Sequence, residues 1–433
     1  MTYTPVIGLE VHIELSTKSK MFCPCPADHF GKPPNTQTCP VCLGLPGALP
    51  FANQKAIEDT IKMGLALGMN IAERSKFDRK NYFYPDLPKA FQISQYDEPL
   101  CTRGLFMGKR ITRIHLEEDT GKLVHTKVDG KTVSLVDYNR SGVPLVELVT
   151  EPDFSSTDEI AEFLKEIQLL VRYLGISTAD MEKGSMRLEA NISLTSDGAL
   201  PDYKVELKNI NSFRFLKKAV EAEIERQTNL LKSGSTPPQE TRGYDDRTGV
   251  TFAQRSKEVA SDYRYFPEPD LPPLRIDPKN AAPVKSLIPE LPWDKRERFK
   301  KDYSLPHDYA RVFVDDPVRA DYFEEAAKIA VEHKVSPKLV ANLMINQNLD
   351  RKYKEPAGVV KKIIEIQKND YAPKDEVAEA VKKVVSSQEM AVADYKSGKA
   401  QVVGFLIGQV QKELEGKGEV KMVRKLLESA LQK

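Results

Sequence analysis

The stretch Pro5-Val-Ile-Gly-Leu-Glu-Val-His-Ile-Glu-Leu15 sets the pattern from which the fold of this chain can be predicted. Its odd positions from Ile7 onward are all apolar, whereas Glu10, His12 and Glu14 occupy even positions. Because successive side chains of a β-strand point to opposite faces, an extended chain separates the apolar set from the ionic set. The pattern predicts a half-buried strand with an ionic face that could hold a ligand, although a solvated polar face is the commoner case for one strand alone.

Four later segments repeat this alternation and add ionic side chains. They carry Arg113, His115, Glu117 and Asp119; Glu147 and Glu151; Arg187, Glu189 and Asn191; and Lys204, Glu206 and Lys208. So many carboxylates need a compensating cation, and carboxylate oxygens with an imidazole suit Mg²⁺ or Mn²⁺. Lysine and arginine beside such an ion suit the phosphates of a nucleotide. The alternative is a set of surface cross-strand ion pairs, which are common and contribute little to stability.

Four cysteines, Cys23, Cys25, Cys39 and Cys42, follow the first strand. Cys-x-Cys, thirteen intervening residues and Cys-x-x-Cys is close to the spacing of zinc ribbons, and four thiolates suit tetrahedral Zn²⁺. Prolines and glycines around them favour the turns that a metal-binding loop requires. Disulfides are the alternative, but five cysteines in 433 residues, with no apolar leader and no long apolar run, favour a reducing cytoplasm and no membrane. Cys101 is expected to be a plain thiol.

Composition and patterning divide the chain into a strand-rich part and a helical part. With 64 basic and 63 acidic residues the formal net charge is +1, so no global field marks a nucleic-acid binder. Strand-like alternation, mixed with helices at about 155–174 and 212–231, ends near residue 290, and helical spacing follows. We therefore predict an α+β fold with a strand-rich domain over 1–290, including the zinc loop at 23–42, a helical domain over 291–355 and a helical tail over 356–433.

Several stretches of this sequence together resemble a known enzyme family. The stretches Ile7–Leu15, Phe77–Lys89, Phe91–Tyr96, His115–Asp119, Val205–Phe213 and Asp262–Pro267 resemble the GatB subunit of the aspartyl/glutamyl-tRNA amidotransferase. The match runs through most of residues 3–275. A second patch, Asp394–Lys399 with Gly404–Val410, is similar to the tail module of the same family.

The resemblance implies an indirect route to the amide aminoacyl-tRNAs. In that family this subunit uses ATP and Mg²⁺ to phosphorylate the side-chain carboxylate of Glu misacylated on tRNA(Gln), or of Asp misacylated on tRNA(Asn). Ammonia from a separate glutamine-hydrolysing amidase subunit then displaces the phosphate. The implied partners are that amidase subunit, the small third subunit of the amidotransferase complex and the misacylated tRNA, which the tail is expected to bind. The implied catalytic fold is a cradle similar to glutamine synthetase and the guanido kinases.

The resemblance also implies roles for individual residues. It implies Mg²⁺ ligands at Glu10, His12, Glu118 and Glu147, phosphate or substrate contacts at Lys80, Arg187 and Lys208, and nucleotide contacts at Asn81, Tyr82 and Asn191. Alternation alone favours Glu117 over Glu118, because Glu117 shares a face with His115, unless a bulge after Leu116 exchanges the faces. The preferred misacylated tRNA stays open.

Two other classes of protein remain as alternatives. A zinc-ribbon protein that binds nucleic acid without catalysis would need a basic or aromatic surface, and it has no use for an ionic set such as His12, Glu118 and Glu147. An inactive tRNA-docking scaffold derived from the enzyme is supported only by Glu189, which stands where the family commonly has Asp. ATP hydrolysis that depends on misacylated tRNA would distinguish both from the enzyme.

Overall fold

The computed structural model describes residues 2–210, 212–256, 263–276, 283–368, 372–397, 399, 401–414 and 416–431. The chain forms two compact units, Met1–Glu297 and Arg298–Lys433. Asp262, the first residue of one of the family-like stretches, lies outside the described residues. Within the described part of the chain, no helix has the length and apolar character that a membrane crossing requires.

The first unit contains all sixteen described strands. In chain order they are β1 (Thr4–Glu14), β2 (Asn70–Ile71), β3 (Arg74–Ser75), β4 (Asp78–Asn81), β5 (Phe91–Ser94), β6 (Cys101–Phe106), β7 (Lys109–Glu118), β8 (Lys122–Val128), β9 (Lys131–Asp137), β10 (Pro144–Thr150), β11 (Met186–Thr195), β12 (Val205–Ile210), β13 (Glu240–Asp245), β14 (Val250–Ser256), β15 (Phe266–Pro267) and β16 (Leu274–Arg275). Nine of them form one sheet in the order β14-β13-β12-β11-β1-β10-β7-β6-β2. The first strand of the chain therefore lies in the middle of the sheet, where strands on both sides can extend its ionic face.

The neighbours of β1 are both antiparallel to it, and the β12–β13 pair alone among the pairs described in this sheet is parallel. The remaining strands form three smaller sheets. One contains β15, β4 and β5, the second pairs β16 with β3, and the third is the hairpin β8–β9. The strands predicted from alternation are confirmed at β1, β7, β10, β11 and β12.

Besides a short helical turn at 283–286, the described residues of the first unit contain three long helices that lie entirely within it: α1 (Gln54–Ala66), α2 (Thr157–Tyr173) and α3 (Phe213–Lys232). The last two confirm the predicted helices, and serine side chains cap both, because Ser156 and Ser212 accept hydrogen bonds from backbone N–H groups of the first turn. Apolar residues of these helices pack with the apolar side chains of the sheet, including Ile7, Val11 and Ile13, in one buried core. The opposite face of β1 is left for the ionic side chains.

The helical half of the chain is also confirmed. Its helices are α4 (Pro292–Asp302), α5 (His307–Val314), α6 (Pro317–Glu332), α7 (Pro337–Gln347), α8 (Leu349–Lys352), α9 (Pro356–Lys368), α10 (Lys374–Ser387), α11 (Glu389–Lys396), α12 (Val402–Glu413) and α13 (Val420–Leu431). Helix α9 packs against α6, α7 and α8, whereas residues from Ala372 to Leu431 form a separate hydrophobic cluster. The predicted boundary between the helical domain (291–355) and the tail (356–433) stays a prediction. The packing of α9 groups this helix with the helices before the boundary.

Candidate active site and thiolate cluster

The ionic face of β1 continues onto the strands at either side. His12 pairs with Arg187 of β11 on one side and with Glu147 of β10 on the other, and Glu147 pairs in turn with His115 of β7. Paired positions on neighbouring strands present their side chains to the same face. These four residues therefore form one row across the middle of the sheet.

Three side chains of this face converge as metal ligands would. The Nε2 atom of His12 lies 3.3 Å from Glu147 Oε2 and 3.6 Å from Glu117 Oε1. One ligand atom from each of the three lies within 4.8 Å of the other two. His115 Nε2 lies 3.4 Å from Glu147 Oε2, and the Ser94 hydroxyl donates a hydrogen bond to Glu117 at 3.1 Å. Two carboxylates and an imidazole in this arrangement could hold a divalent cation.

The carboxylate of Glu118 does not join this group. The β7–β10 pairing runs without interruption from Glu118 opposite Pro144 to Arg113 opposite Val149, so no bulge after Leu116 exchanges the faces. Glu118 instead forms an ion pair with Lys89 at 2.5 Å and accepts the backbone N–H of Ile93 at 3.0 Å. The structure thus brings His12 and Glu147 together as expected, but with Glu117 in the place that the resemblance gave to Glu118.

A second acidic group lies next to the first on the same face. Carboxylate oxygens of Glu10, Glu189 and Glu206 lie within 4.8 Å of one another. Lys208 offsets this charge, since its Nζ lies 2.7 Å from Glu189 Oε2, and the amide of Asn191 donates to Glu10 at 2.8 Å. Burial first, and then the charges of neighbouring carboxylates, raise the pKa of Glu10.

Arg187 is oriented by a buried carboxylate. Its Nη2 atom lies 2.6 Å from Asp119 Oδ2, and Arg140 Nε lies 3.6 Å from the same oxygen. Burial opposes ionisation of Asp119, but the two guanidinium groups outweigh it and hold the pKa of this carboxyl well below its usual range. Arg187 therefore enters the site as a positioned cation.

Lys80 is held by aromatic rings instead of by a carboxylate. Its Nζ lies 4.9 Å from the ring centre of Tyr263 and 5.9 Å from that of Tyr82, and no described carboxylate lies within ion-pair distance of it. Asn81 donates to the backbone oxygen of Arg264 at 2.8 Å and so fixes the segment that carries Tyr263. Asn81 therefore supports the wall of the site and does not line its cavity.

These residues enclose a cavity of about 550 Å³, within the usual range for small-molecule sites. Of the predicted site residues, the cavity is lined by Glu10, His12, Lys80, Tyr82, Glu147, Arg187 and Lys208. Asn191 lines an adjoining cavity, and Glu118 and Asn81 line neither.

The electrostatics of the first group fit a cation. Burial alone lowers the pKa of His12, but the hydrogen bond and charge of Glu147, with the charges of Glu189 and Glu117, raise it to about 9. Burial raises the pKa of Glu147, and His115, His12 and Lys80 together bring it well below its usual range. At neutral pH the proton on His12 therefore supplies the positive charge that these carboxylates require.

The four predicted cysteines also converge. Sulfur atoms of Cys23, Cys25, Cys39 and Cys42 lie within 4.8 Å of one another, and all four are free thiols. A hydrogen bond from Cys23, despite burial, and the nearby Lys20 ammonium lower the pKa of Cys42 to about 5. Cys42 therefore ionises readily, as a metal ligand must, whereas burial raises the pKa of Cys25 to about 11, and a hydrogen bond to Cys42 together with burial raises the pKa of Cys23 well above its usual range.

Sequence patterning missed Lys20, which is fully buried beside this cluster. Its Nζ lies 3.7 Å from Cys42 Sγ and donates to the backbone oxygens of Gln37 at 2.8 Å and Tyr138 at 3.3 Å. The only signal in the sequence is its position three residues before Cys23. Cys101, by contrast, is a buried thiol apart from the cluster, and burial raises its pKa to about 12.

An open strand face with clustered carboxylates, an imidazole and several positioned cations in one cavity is typical of metal-dependent enzymes that transfer phosphoryl groups. The comparison with known proteins gives the particular family. The chain belongs to the GatB family: the model for the GatB/GatE catalytic domain matches residues 5–282, and the model for the GatB domain matches residues 309–431.

Curated relatives match along their whole length. The chain is 43% identical over 481 residues to the GatB subunit of the aspartyl/glutamyl-tRNA(Asn/Gln) amidotransferase of Thermotoga sp. (strain RQ2), with all of both chains covered. It is 43% identical over 479 residues to the protein of that name from Thermomicrobium roseum, covering 100% of this chain and 99% of the relative. It is also 43% identical over 483 residues to that of Thermoanaerobacter pseudethanolicus, with both chains fully covered.

Proposed function

We propose that this chain uses ATP to phosphorylate the side-chain carboxylate of Glu or Asp misacylated on a tRNA, so that ammonia can displace the phosphate and leave the amide. The observation that carries the proposal is the convergence of His12, Glu117 and Glu147 in the same cavity as Lys80, whose ammonium has no described carboxylate partner. Transfer from a triphosphate requires an anionic metal site and an available cation close together. Membership of the family supports the same conclusion.

The reaction has two steps. In the first, a carboxylate oxygen of the aminoacyl group attacks the γ-phosphorus of ATP, an O–P bond forms, and the bond to the β,γ-bridging oxygen breaks to release ADP. In the second, ammonia attacks the acyl carbon, phosphate leaves with the electrons of the C–O bond, and the nitrogen loses a proton. Activation is needed because a free carboxylate has no good leaving group, whereas an acyl phosphate has one.

Mg²⁺ would be held by His12, Glu117 and Glu147, with Glu10 nearby. Glu117 takes the place of Glu118 in the predicted set of ligands, because the Glu118 carboxylate forms an ion pair with Lys89. When bound, the ion offsets negative charge on the transferring phosphoryl group. Carboxylate oxygens are the ligands that Mg²⁺ prefers, and the donor set fits a site that keeps open positions for phosphate and water.

The cations of the cavity would position the two anionic substrates. Lys80 contacts a phosphate oxygen, because the rings of Tyr82 and Tyr263 hold its ammonium without neutralising it. Arg187, fixed by Asp119, orients the substrate carboxylate, for which its planar fork of donors is suited. Lys208 lies farther along the face, beside the second acidic group.

The four cysteines would bind a structural Zn²⁺, since four converging thiols match its tetrahedral preference. Their loop is hydrogen-bonded to the segment before β10: the backbone N–H of Gln37 donates to Asn139 Oδ1 at 2.8 Å, and the Ser141 hydroxyl donates to Cys42 O at 3.3 Å. The metal would therefore steady the approach to the strand that carries Glu147.

We further propose that the chain works with an amidase subunit and a small third subunit, and that its helical tail binds the tRNA. The relatives are named as one subunit of an enzyme, which supports a complex of several chains. The strand-rich domain would be a cradle similar to glutamine synthetase and the guanido kinases, because its antiparallel strands present metal-type ligands on one open face.

The decisive experiment measures ATP cleavage with and without misacylated tRNA. We expect ADP to form only when Glu-tRNA(Gln) or Asp-tRNA(Asn) is present, and Glu147→Gln, which keeps the size of the side chain, to reduce the rate on the order of 10² or more. Correctly charged Gln-tRNA(Gln) is the matched control substrate. tRNA binding without tRNA-dependent ADP formation would instead identify a docking scaffold and would refute the enzyme.

A further inference from the structure

His29 lies in the loop between the two cysteine pairs and contacts the last residue of the ionic strand. Its Nε2 atom lies 3.1 Å from Glu14 Oε2, and the side chains of His29 and Glu14 are 17% and 9% exposed. The backbone of Glu14 is itself fixed, because its N–H donates to Ser185 O at 2.9 Å and its carbonyl accepts the Ser177 hydroxyl at 2.7 Å. The cysteine loop therefore holds one carboxyl oxygen of a residue whose backbone cannot shift easily.

The carboxyl group of Glu14 also meets that of Asp119. The other oxygen of Glu14, Oε1, is buried, and no N–H or hydroxyl group of the described residues donates to it. Asp119 places its own carboxyl group within hydrogen-bonding reach of Glu14. Buried carboxyl groups this close share one proton, because both cannot carry a full charge. His29, Glu14 and Asp119 thus form one connected row of polar side chains.

Asp119 is shared between two competing cations. Its Oδ2 atom lies 2.6 Å from Arg187 Nη2 and 3.6 Å from Arg140 Nε. A carboxylate between two guanidinium groups can turn toward either one, and a third contact is needed to select one orientation. The contact with Glu14 supplies it, so the direction in which Arg187 points depends on the row behind Asp119.

We propose that His29 is a positioning residue that acts through these two carboxyl groups to aim Arg187 at the substrate carboxylate. This inference rests on the proposed function, which gives Arg187 that task, and deepens it by linking the cysteine loop to the substrate side of the site.

The placement of His29 excludes direct contact with the substrate. His29 and Glu14 line a separate cavity of about 350 Å³, and neither lines the active-site cavity. Asp119 and Arg187 do line the active-site cavity. The row therefore runs from one cavity to the other, and the imidazole can affect the reaction only through the groups that it holds. The alternative is an imidazole–carboxylate pair that only steadies the loop.

The test measures single-turnover ADP formation at saturating ATP and misacylated tRNA, by the full chain assembled with its partner subunits. His29→Leu removes the group that holds Glu14 and should slow this step about tenfold, because small displacements of a positioned group are costly. His29→Gln places an N–H donor at a similar reach and should recover most of the rate. Asp28→Asn changes a neighbouring side chain that is 78% exposed, and this matched control should react as the parent does.

A double-mutant cycle separates positioning from folding. Arg187→Lys keeps the charge but lacks the planar fork of donors, so its aim matters less. In that background His29→Leu should cost less than about twofold, because the two changes remove the same interaction. The KM for ATP and the zinc content of His29→Leu should match those of the parent. If the leucine variant does not fold, His29→Asn, whose amide is too short to reach Glu14, replaces it in the cycle.

A tenfold loss that persists in the Arg187→Lys background would show that His29 only supports the fold, and it would overturn the inference. A parent-like rate in His29→Leu, or a rate loss accompanied by loss of zinc, would overturn it as well. Absence of tRNA-dependent ADP formation by the parent protein would instead refute the proposed function, and the inference with it.

Discussion

Glu117 and Glu118 are neighbours in sequence with opposite roles in the structure, and exchanging each for glutamine separates the two roles. Glu117 faces the cavity beside His12 and Glu147, whereas Glu118 faces away and pairs with Lys89. Both side chains are 3% exposed, so a difference between the two variants in rate or stability cannot come from a difference in solvent access. Glutamine keeps the size of either glutamate and one acceptor oxygen, but it replaces the other oxygen with an NH2 donor and so removes the charge.

Glu117→Gln removes one of the two carboxylates that would hold the metal. The phosphorylation step should slow on the order of 10² or more, and raising Mg²⁺ should restore part of the rate, because the weakened step is metal binding. The protein should stay folded, since His12 and Glu147 remain 3.3 Å apart and still pair.

Glu118→Gln should instead destabilise the protein. The Lys89 side chain is 10% exposed and loses its partner at 2.5 Å, and removing one member of a buried ion pair costs on the order of 3 kcal/mol. The oxygen that accepts the Ile93 N–H is retained, so the strand should keep its pairing. The rate of phosphorylation per folded molecule should stay within a few-fold of the parent.

The assay is single-turnover formation of ADP with saturating misacylated tRNA, at several Mg²⁺ concentrations, together with thermal melting of each variant. The reverse pattern would refute the assignment from geometry: a rate lost in Glu118→Gln and rescued there by Mg²⁺, with Glu117→Gln nearly as active as the parent. In that case the resemblance, and not the strand alternation, would have given the correct ligand.

Three further outcomes are expected. Elemental analysis of protein purified without chelator should find about one zinc per chain, and Cys39→Ser should release it and lower the melting temperature; a disulfide or the absence of metal would contradict this. Because the pKa of His12 is raised from its ordinary 6.5 to about 9, its contribution to metal-free stability should be complete below pH 6.5 and lost as the pH rises through 9. Mg²⁺ binding at neutral pH should then release about one proton, and a Mg²⁺ affinity independent of pH between 6.5 and 9 would exclude this role for His12. Deleting residues 373–433 should weaken tRNA binding without changing the rate at saturating tRNA, whereas a lower rate with unchanged affinity would show that the tail takes part in catalysis.

The central part of the site could be predicted from the sequence because strand alternation is a property of the backbone. A period of two residues puts Glu10 and His12 on one face wherever the strand lies, and the same holds for Glu147. Alternation also favoured Glu117 over Glu118 as the metal ligand. The uninterrupted β7–β10 pairing agrees with this choice, because it places Glu117 on the same face as His115. The thiolate cluster was predictable for a similar reason, since its ligands lie close together in sequence and the spacing limits the geometry.

The remaining features depend on contacts between residues distant in sequence, which no local pattern encodes. Nothing in the sequence places Lys20 against the backbone of Tyr138, because that contact follows from the path of two loops. The commitment of Glu118 to Lys89 depends on the position of a loop 29 residues away. The adjoining cavity that Asn191 lines likewise forms only where β10, β11 and the segment before β12 meet.

Glu189 bears directly on the alternative that this chain is an inactive scaffold. The extra methylene relative to Asp lengthens the side chain by about 1.5 Å. Its carboxylate uses that reach to pair with Lys208 at 2.7 Å, and it still groups with Glu10 and Glu206. Burial and neighbouring carboxylates raise the pKa of Glu10, so keeping this group ionised lowers the stability of the fold. Because Glu189 keeps its carboxylate in the cavity, paired with Lys208 and grouped with Glu10 and Glu206, the exchange of Asp for Glu gives no support to an inactive scaffold.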